Sequence, residues 1–201
     1  DLPLSLRRQR QMCIRDRSIT AHKFGGPKGV GILLVKNNTP IEYSQLGGEQ
    51  ETKRRAGTES VPQIVGMTKA LEIATKNRDQ NNIHLMQLKE LFLVSLQERA
   101  IPFEVNGSMV ETTGHILNLY LPFIDVETML TLLDLANIYV SSGSACTAGS
   151  TTPSHVLAAM YEDEDRAKHS VRFSFNEITT EQDIKYIVAE IHKIYHKFKE
   201  E

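Results

Sequence analysis

The chain has 201 residues, 40% of them hydrophobic, and its 23 Lys+Arg against 25 Asp+Glu leave a formal net charge of −2. That length supports one ordinary domain or a small pair with a real core, and the near-neutral balance argues against extended disorder and against a general nucleic-acid role. No apolar run nears the roughly 20 residues of a membrane span, and Cys13 and Cys146 sit in contexts that do not look paired, so the expected compartment is the reducing cytoplasm.

Residues 1–17 carry five arginines and lack the apolar core of a secretory signal. They read as a segment foreign to the fold and are set aside together with Cys13; an arm touching nucleic acid is the functional alternative. From Ser18 onward the character changes. A loop over 18–31, rich in glycine, runs into a strand over 30–35. Within it Lys23 follows His22 and Thr20, a set able to bind a phosphate and present an amine, although many such loops only turn. A second polar loop, 47–59, leads to a helix capped by Thr58 or Ser60 with Pro62 near its first turn. Ile64, Met67, Leu71 and Ala74 mark its apolar stripe. Arg54 and Arg55 beside that helix start form either an anion-attracting corner or a solvated basic approach.

Leu85, Leu88, Leu91, Phe92 and Leu96 predict a second helix over about 82–99, which should pack on the first. Short strands are expected at 103–106 and 115–121, a helix from Asp125, and a strand at 137–140. That strand feeds Ser141-Ser142-Gly143-Ser144-Ala145-Cys146-Thr147-Ala148-Gly149-Ser150, ten residues that are all small. Such a stretch is a flexible tether for a nucleophile, or a Ser/Gly linker with an incidental cysteine. A helix should open at Pro153. The strand over 170–175 alternates Val171, Phe173 and Phe175 with polar residues, so Arg172 is either solvated or a bidentate carboxylate clamp. A long amphipathic helix from Thr179 or Thr180 closes the chain. Its His192 and His196 stand four apart with no third ligand in view and read as surface or structural residues.

Thr20-Ala21-His22-Lys23 with Gly26-Pro27-Lys28-Gly29-Val30-Gly31 closely resembles the pyridoxal-phosphate lysine segment of the cysteine desulfurases. The 141–150 loop resembles that family's long mobile cysteine loop, and Arg54-Arg55-Ala56-Gly57-Thr58 and Arg172-Phe173-Ser174 match in order. The resemblance covers 18–201. It implies an α/β chain: the C-terminal part of a fold-type-I aminotransferase large domain (remnant 18–80), then an α+β small domain (81–201). It further implies that Lys23 carries pyridoxal 5'-phosphate, that His22, Thr20 and Thr58 hold the phosphate, Thr58 across a homodimer, and that Arg172 clamps the substrate carboxylate. Cys146 becomes the nucleophile that takes sulfur from L-cysteine as a persulfide and releases L-alanine. The sulfur then passes to an acceptor protein in iron–sulfur assembly or tRNA thiolation. No resident metal is implied, transient iron–sulfur ligation by Cys146 aside. Family members are about twice this length, so the chain reads as a fragment that on its own could be a silent dimerising or sulfur-accepting module; a related lyase or transaminase is the other alternative. Asn176 stands where the family pattern leads one to expect glycine.

Overall fold

The computed structural model describes residues 16–37, 39–110, 112–143 and 154–199. The chain divides into two compact units, with the boundary between Arg78 and Asp79. In the first unit, β1 (Asp16–Thr20) and β2 (Gly31–Val35) pair antiparallel, with Asp16 opposite Val35 and Thr20 opposite Gly31. β1 therefore starts two residues before Ser18, inside the segment expected to be foreign. The strands are joined by a short 3-10 turn, Ala21–Phe24, and a glycine-bearing loop. Gly31 is demanded by the pairing itself: a Cβ there would lie 2.7 Å from the backbone oxygen of Ile19.

Two helices were expected between residues 60 and 99, and the structure has one, α1 (Val61–Glu98), 38 residues long. The linking stretch 75–81 is polar but contains neither Gly nor Pro, so nothing in it interrupts the helical hydrogen bonds. Polarity was mistaken for a break. The apolar stripe from Leu85 onward serves the second unit, where Leu88, Phe92 and Leu96 are fully buried.

That unit is built on a three-stranded antiparallel sheet in the order β3 (Glu104–Val105), β4 (Ile116–Tyr120), β5 (Ser170–Ser174). Alternation sends Leu117 and Leu119 of β4 and Val171 and Phe173 of β5 to one face. There they join α1, α2 (Val126–Leu135) and α5 (Glu181–Lys199) in a single core, with the Phe92 and Phe173 rings 4.9 Å apart. The starts of α2 and α5 are capped by side chains. Asp125 accepts from the Thr128 amide at 2.9 Å, and Thr180 and Asp183 bond reciprocally, the Asp183 amide to the Thr180 hydroxyl and the Thr180 amide to the Asp183 carboxylate.

The strand expected at 137–140 does not form. Asn137 leaves α2 in the left-handed region at φ 58°, and the Ile138 amide bonds back to Leu133, so its donor is spent on the helix end. Only Ser141 pairs with the sheet, opposite Arg172. Beyond the loop, α3 (His155–Tyr161) starts on Ser154, and α4 (Glu164–Lys168), which no periodicity announced, is capped by Asp163.

Candidate active site

In the first unit, Thr20 ends β1 and His22 and Lys23 lie on the 3-10 turn, all three exposed. The turn is pinned from below by Ala21, which is fully buried. The Ala21 amide donates to Val30 at 3.1 Å, and the Gly26 amide donates to the Ala21 carbonyl at 2.9 Å. Gly25, at φ 81°, makes the left-handed exit that other side chains resist. The pinned turn sets Lys23 outward on a short, fixed base. Pro27, four residues on, rests against α1 at Gly66, where a Cβ would come 3.0 Å from its ring.

Thr58 is exposed in the approach to α1 and makes no hydrogen bond to Thr20, His22 or Lys23. Its segment is shaped by Gly57, whose amide donates to the Gln50 side chain at 3.1 Å and whose φ is 109°. A Cβ on Gly57 would stand 2.8 Å from the Arg55 guanidinium, which folds back to donate to the Ala56 carbonyl at 2.9 Å. Before it, the single helical turn Gln50–Lys53 runs left-handed at Glu51 and Thr52, with φ of 51° and 56°. No sequence pattern signals such a turn in residues with side chains.

Arg172 belongs to the second unit, at the middle of β5. Its amide donates to the Ser141 carbonyl at 2.7 Å and its carbonyl accepts from the Ser141 amide at 3.2 Å. Both backbone groups point away from β4, so Asn118, opposite Arg172, forms a non-hydrogen-bonded pair, the arrangement that brings side chains closest. The Arg172 Nε is buried and has no hydrogen-bond partner among the described residues. A buried donor left unmade costs about 1–3 kcal/mol.

The polar neighbours of that face were not legible as a set. Asn106 donates to Asn118 at 2.7 Å and to Ser170 at 2.8 Å, and Arg166 donates to Asn106 at 2.6 Å and to Glu104 at 2.7 Å. The Arg166 guanidinium also lies 4.1 Å from the Tyr161 ring centroid, and the Tyr161 hydroxyl accepts from the Gly107 amide at 2.7 Å. Together these contacts fasten α3 and α4 to the sheet. The one available signal was Asn118, a polar residue in the alternation of β4.

Cys146 lies outside the described residues, as do 144–153. The two roots of that segment are described and adjoin: a Cβ on Gly143 would be 3.7 Å from that of Ser154. One root follows the Ser141 bridge to Arg172, and the other caps α3 through the Ser154 hydroxyl. Ten residues thus leave and return at one place, beside the strand that carries the arginine.

Residues 17–187 match the aminotransferase class-V family. A Bacillus subtilis (strain 168) protein, provisionally named cysteine desulfurase IscS 1, is 46% identical over 84% of this chain and 45% of its own length. The cysteine desulfurase IscS of Dictyoglomus turgidum is 37% identical over 90% of this chain and 46% of its own. In structure, the NifS-like protein from Rickettsia africae superposes with a TM-score of 0.79 at 31% identity, covering 90% of this chain and 48% of that one. The chain spans slightly less than half the length of these relatives. The expected α/β fold of the aminotransferase type is met.

Those names imply pyridoxal phosphate, and the described residues suit it. Lys23 offers a primary amine engaged in no hydrogen bond or ion pair among the described residues, with an imidazole and a hydroxyl one and three positions before it. The unpartnered Arg172 Nε suits an amino-acid carboxylate. With a family match that covers most of its residues, this chain belongs to the aminotransferase class-V family.

Proposed function

We propose that the protein is a cysteine desulfurase: it takes sulfur from L-cysteine onto Cys146 as a persulfide and releases L-alanine. The observation that carries this reading is Arg172, whose buried Nε has no hydrogen-bond partner among the described residues, on the strand that also anchors the stem of the cysteine loop. An amino-acid carboxylate would satisfy that nitrogen, and it would bring the rest of the substrate to the neighbourhood of the loop's roots.

Pyridoxal phosphate, when bound, supplies an electron sink for the substrate's α-carbon. Lys23 would hold the cofactor through its amine, and that amine, once displaced by the substrate's amino group, would move the proton at the substrate Cα; His22 and Thr20 would hold the phosphate from the same turn, and Thr58 would do so in a homodimer. Cys146, as thiolate, attacks the substrate sulfur. The new S–S bond forms as the substrate's C–S bond breaks, the electron pair stays with carbon, and that carbon takes a proton to become the methyl group of alanine. A tethered thiol suits this task, because the sulfur must be collected at the substrate and delivered elsewhere. The acceptor would be a protein of iron–sulfur assembly or tRNA thiolation, in the cytoplasm. No described helix is long and apolar enough to cross a membrane.

A second reading applies to the 201-residue chain taken by itself: a module without turnover. Large apolar side chains of its first unit stand open, among them Leu46 at 86% and Val65 at 62% exposed, which suits a unit that packs against further polypeptide.

The test uses the protein in its full length. Lys23→Ala should abolish the visible absorption of the bound cofactor. Arg172→Lys keeps the charge but loses the fork, so about 1.5–3 kcal/mol of carboxylate recognition should go, a roughly ten- to hundredfold rise in KM for L-cysteine. An unchanged KM in Arg172→Lys would contradict the reading.

A further inference from the structure

Two histidines on α5 lie apart from the site described above. His192 and His196 are stacked by helical spacing, with their Nε2 atoms 3.0 Å apart and their rings at 82°. A hydrogen bond between two Nε2 atoms needs one bare nitrogen, so the pair already presents a lone pair toward a shared point. A cation held by both rings at the usual imidazole bond of about 2.0–2.1 Å would subtend an N–metal–N angle of about 94° across that gap. This is near the right angle between cis ligands in square-planar or octahedral coordination, and well short of tetrahedral.

We propose that His192 and His196 form a two-imidazole site for a divalent transition-metal ion of tetragonal preference, Ni(II) or Cu(II), bound through both Nε2 atoms and completed by water. The ion replaces the shared proton, and the ring that carried it moves its proton to Nδ1, so no proton need be released when both rings are neutral. His196 belongs to the last turn of α5, where the carbonyl end of the helix favours a cation. The Arg99 guanidinium lies close enough to His192 to act on it through charge. The same Arg99 repels a dication and weakens the site. Nearby Lys193 is engaged by Glu190 at 2.6 Å. No cluster of three or more His, Cys, Asp or Glu suited to a metal occurs among the described residues, which makes water the remaining ligand.

The probe is Ni(II) chloride, titrated calorimetrically into the 201-residue chain carrying Cys13→Ser and Cys146→Ser, so that no thiol competes. Saturable one-to-one binding is expected, weakened roughly tenfold or more by His196→Ala and equally by His192→Ala. His196 is exposed, so its variant keeps the fold and a loss of affinity there is not unfolding. Unchanged Ni(II) affinity in His196→Ala, or no saturable binding in the parent chain, overturns the proposal.

Discussion

Half-buried Arg172 makes a stability prediction that runs opposite to the usual effect of removing an inward-facing polar group. Its Nε makes no hydrogen bond among the described residues and carries a desolvation cost, so Arg172→Met, which keeps much of the stem's bulk, should leave the urea midpoint unchanged or raise it while carboxylate binding is lost. A clear fall in the midpoint would mean that the guanidinium has a structural partner. The polar place of Arg172 in an apolar alternation was readable along β5. Its neighbours were not, because Ser141 and Asn118 reach it by pairing across 31 and 54 positions of chain. Lys23, His22 and Thr20, by contrast, are contiguous and sit on one turn, so local sequence was enough to group them.

Elements follow local rules where their signals are local. The helix starts at Asp125 and Thr180 were legible because their caps lie within four residues. Those caps also give a pH dependence. Burial alone would raise the Asp125 carboxyl, but hydrogen bonds from the Thr128 amide and hydroxyl outweigh it and hold it below its ordinary 3.8; bonds from the Thr180 amide and hydroxyl likewise lower Asp183. Unfolding raises both values, so the unfolded chain binds protons first as the pH falls. The caps' contribution is complete above the ordinary 3.8 and is lost as the pH drops through the lower folded values. Asp125→Ala should cost about 1 kcal/mol at neutral pH and flatten part of the acid limb of a stability–pH curve. An acid limb identical to the parent's would contradict the assignment. α1 tests the opposite case, in which a polar stretch was misread as a break. If the helix is continuous through residue 77, Asn77→Pro should cost about 3 kcal/mol and Asn77→Gly only about 1, read by chemical denaturation; equal, negligible losses would restore two helices.

At the scale of the molecule, the second unit has its own core of sheet, α1, α2 and α5, whereas the only described sheet of the first is a two-stranded ribbon with Leu33 and Leu34 more than half exposed on β2. An isolated pair of strands is marginal in water, which fits a unit that needs more polypeptide. The α/β class and the order of the motifs were legible from sequence. The left-handed turn at Glu51 and Thr52 and the closed root at Gly143 and Ser154 were not, since both depend on contacts that no periodicity encodes. Sulfur transfer to Cys146 is the claim on which the functional account stands. Its most direct measurement is the mass of the full-length protein after exposure to L-cysteine, with alanine assayed in the same sample. The account predicts one added sulfur atom on Cys146 together with alanine, and neither in Cys146→Ser. Alanine released by Cys146→Ser at the parent's rate would contradict it.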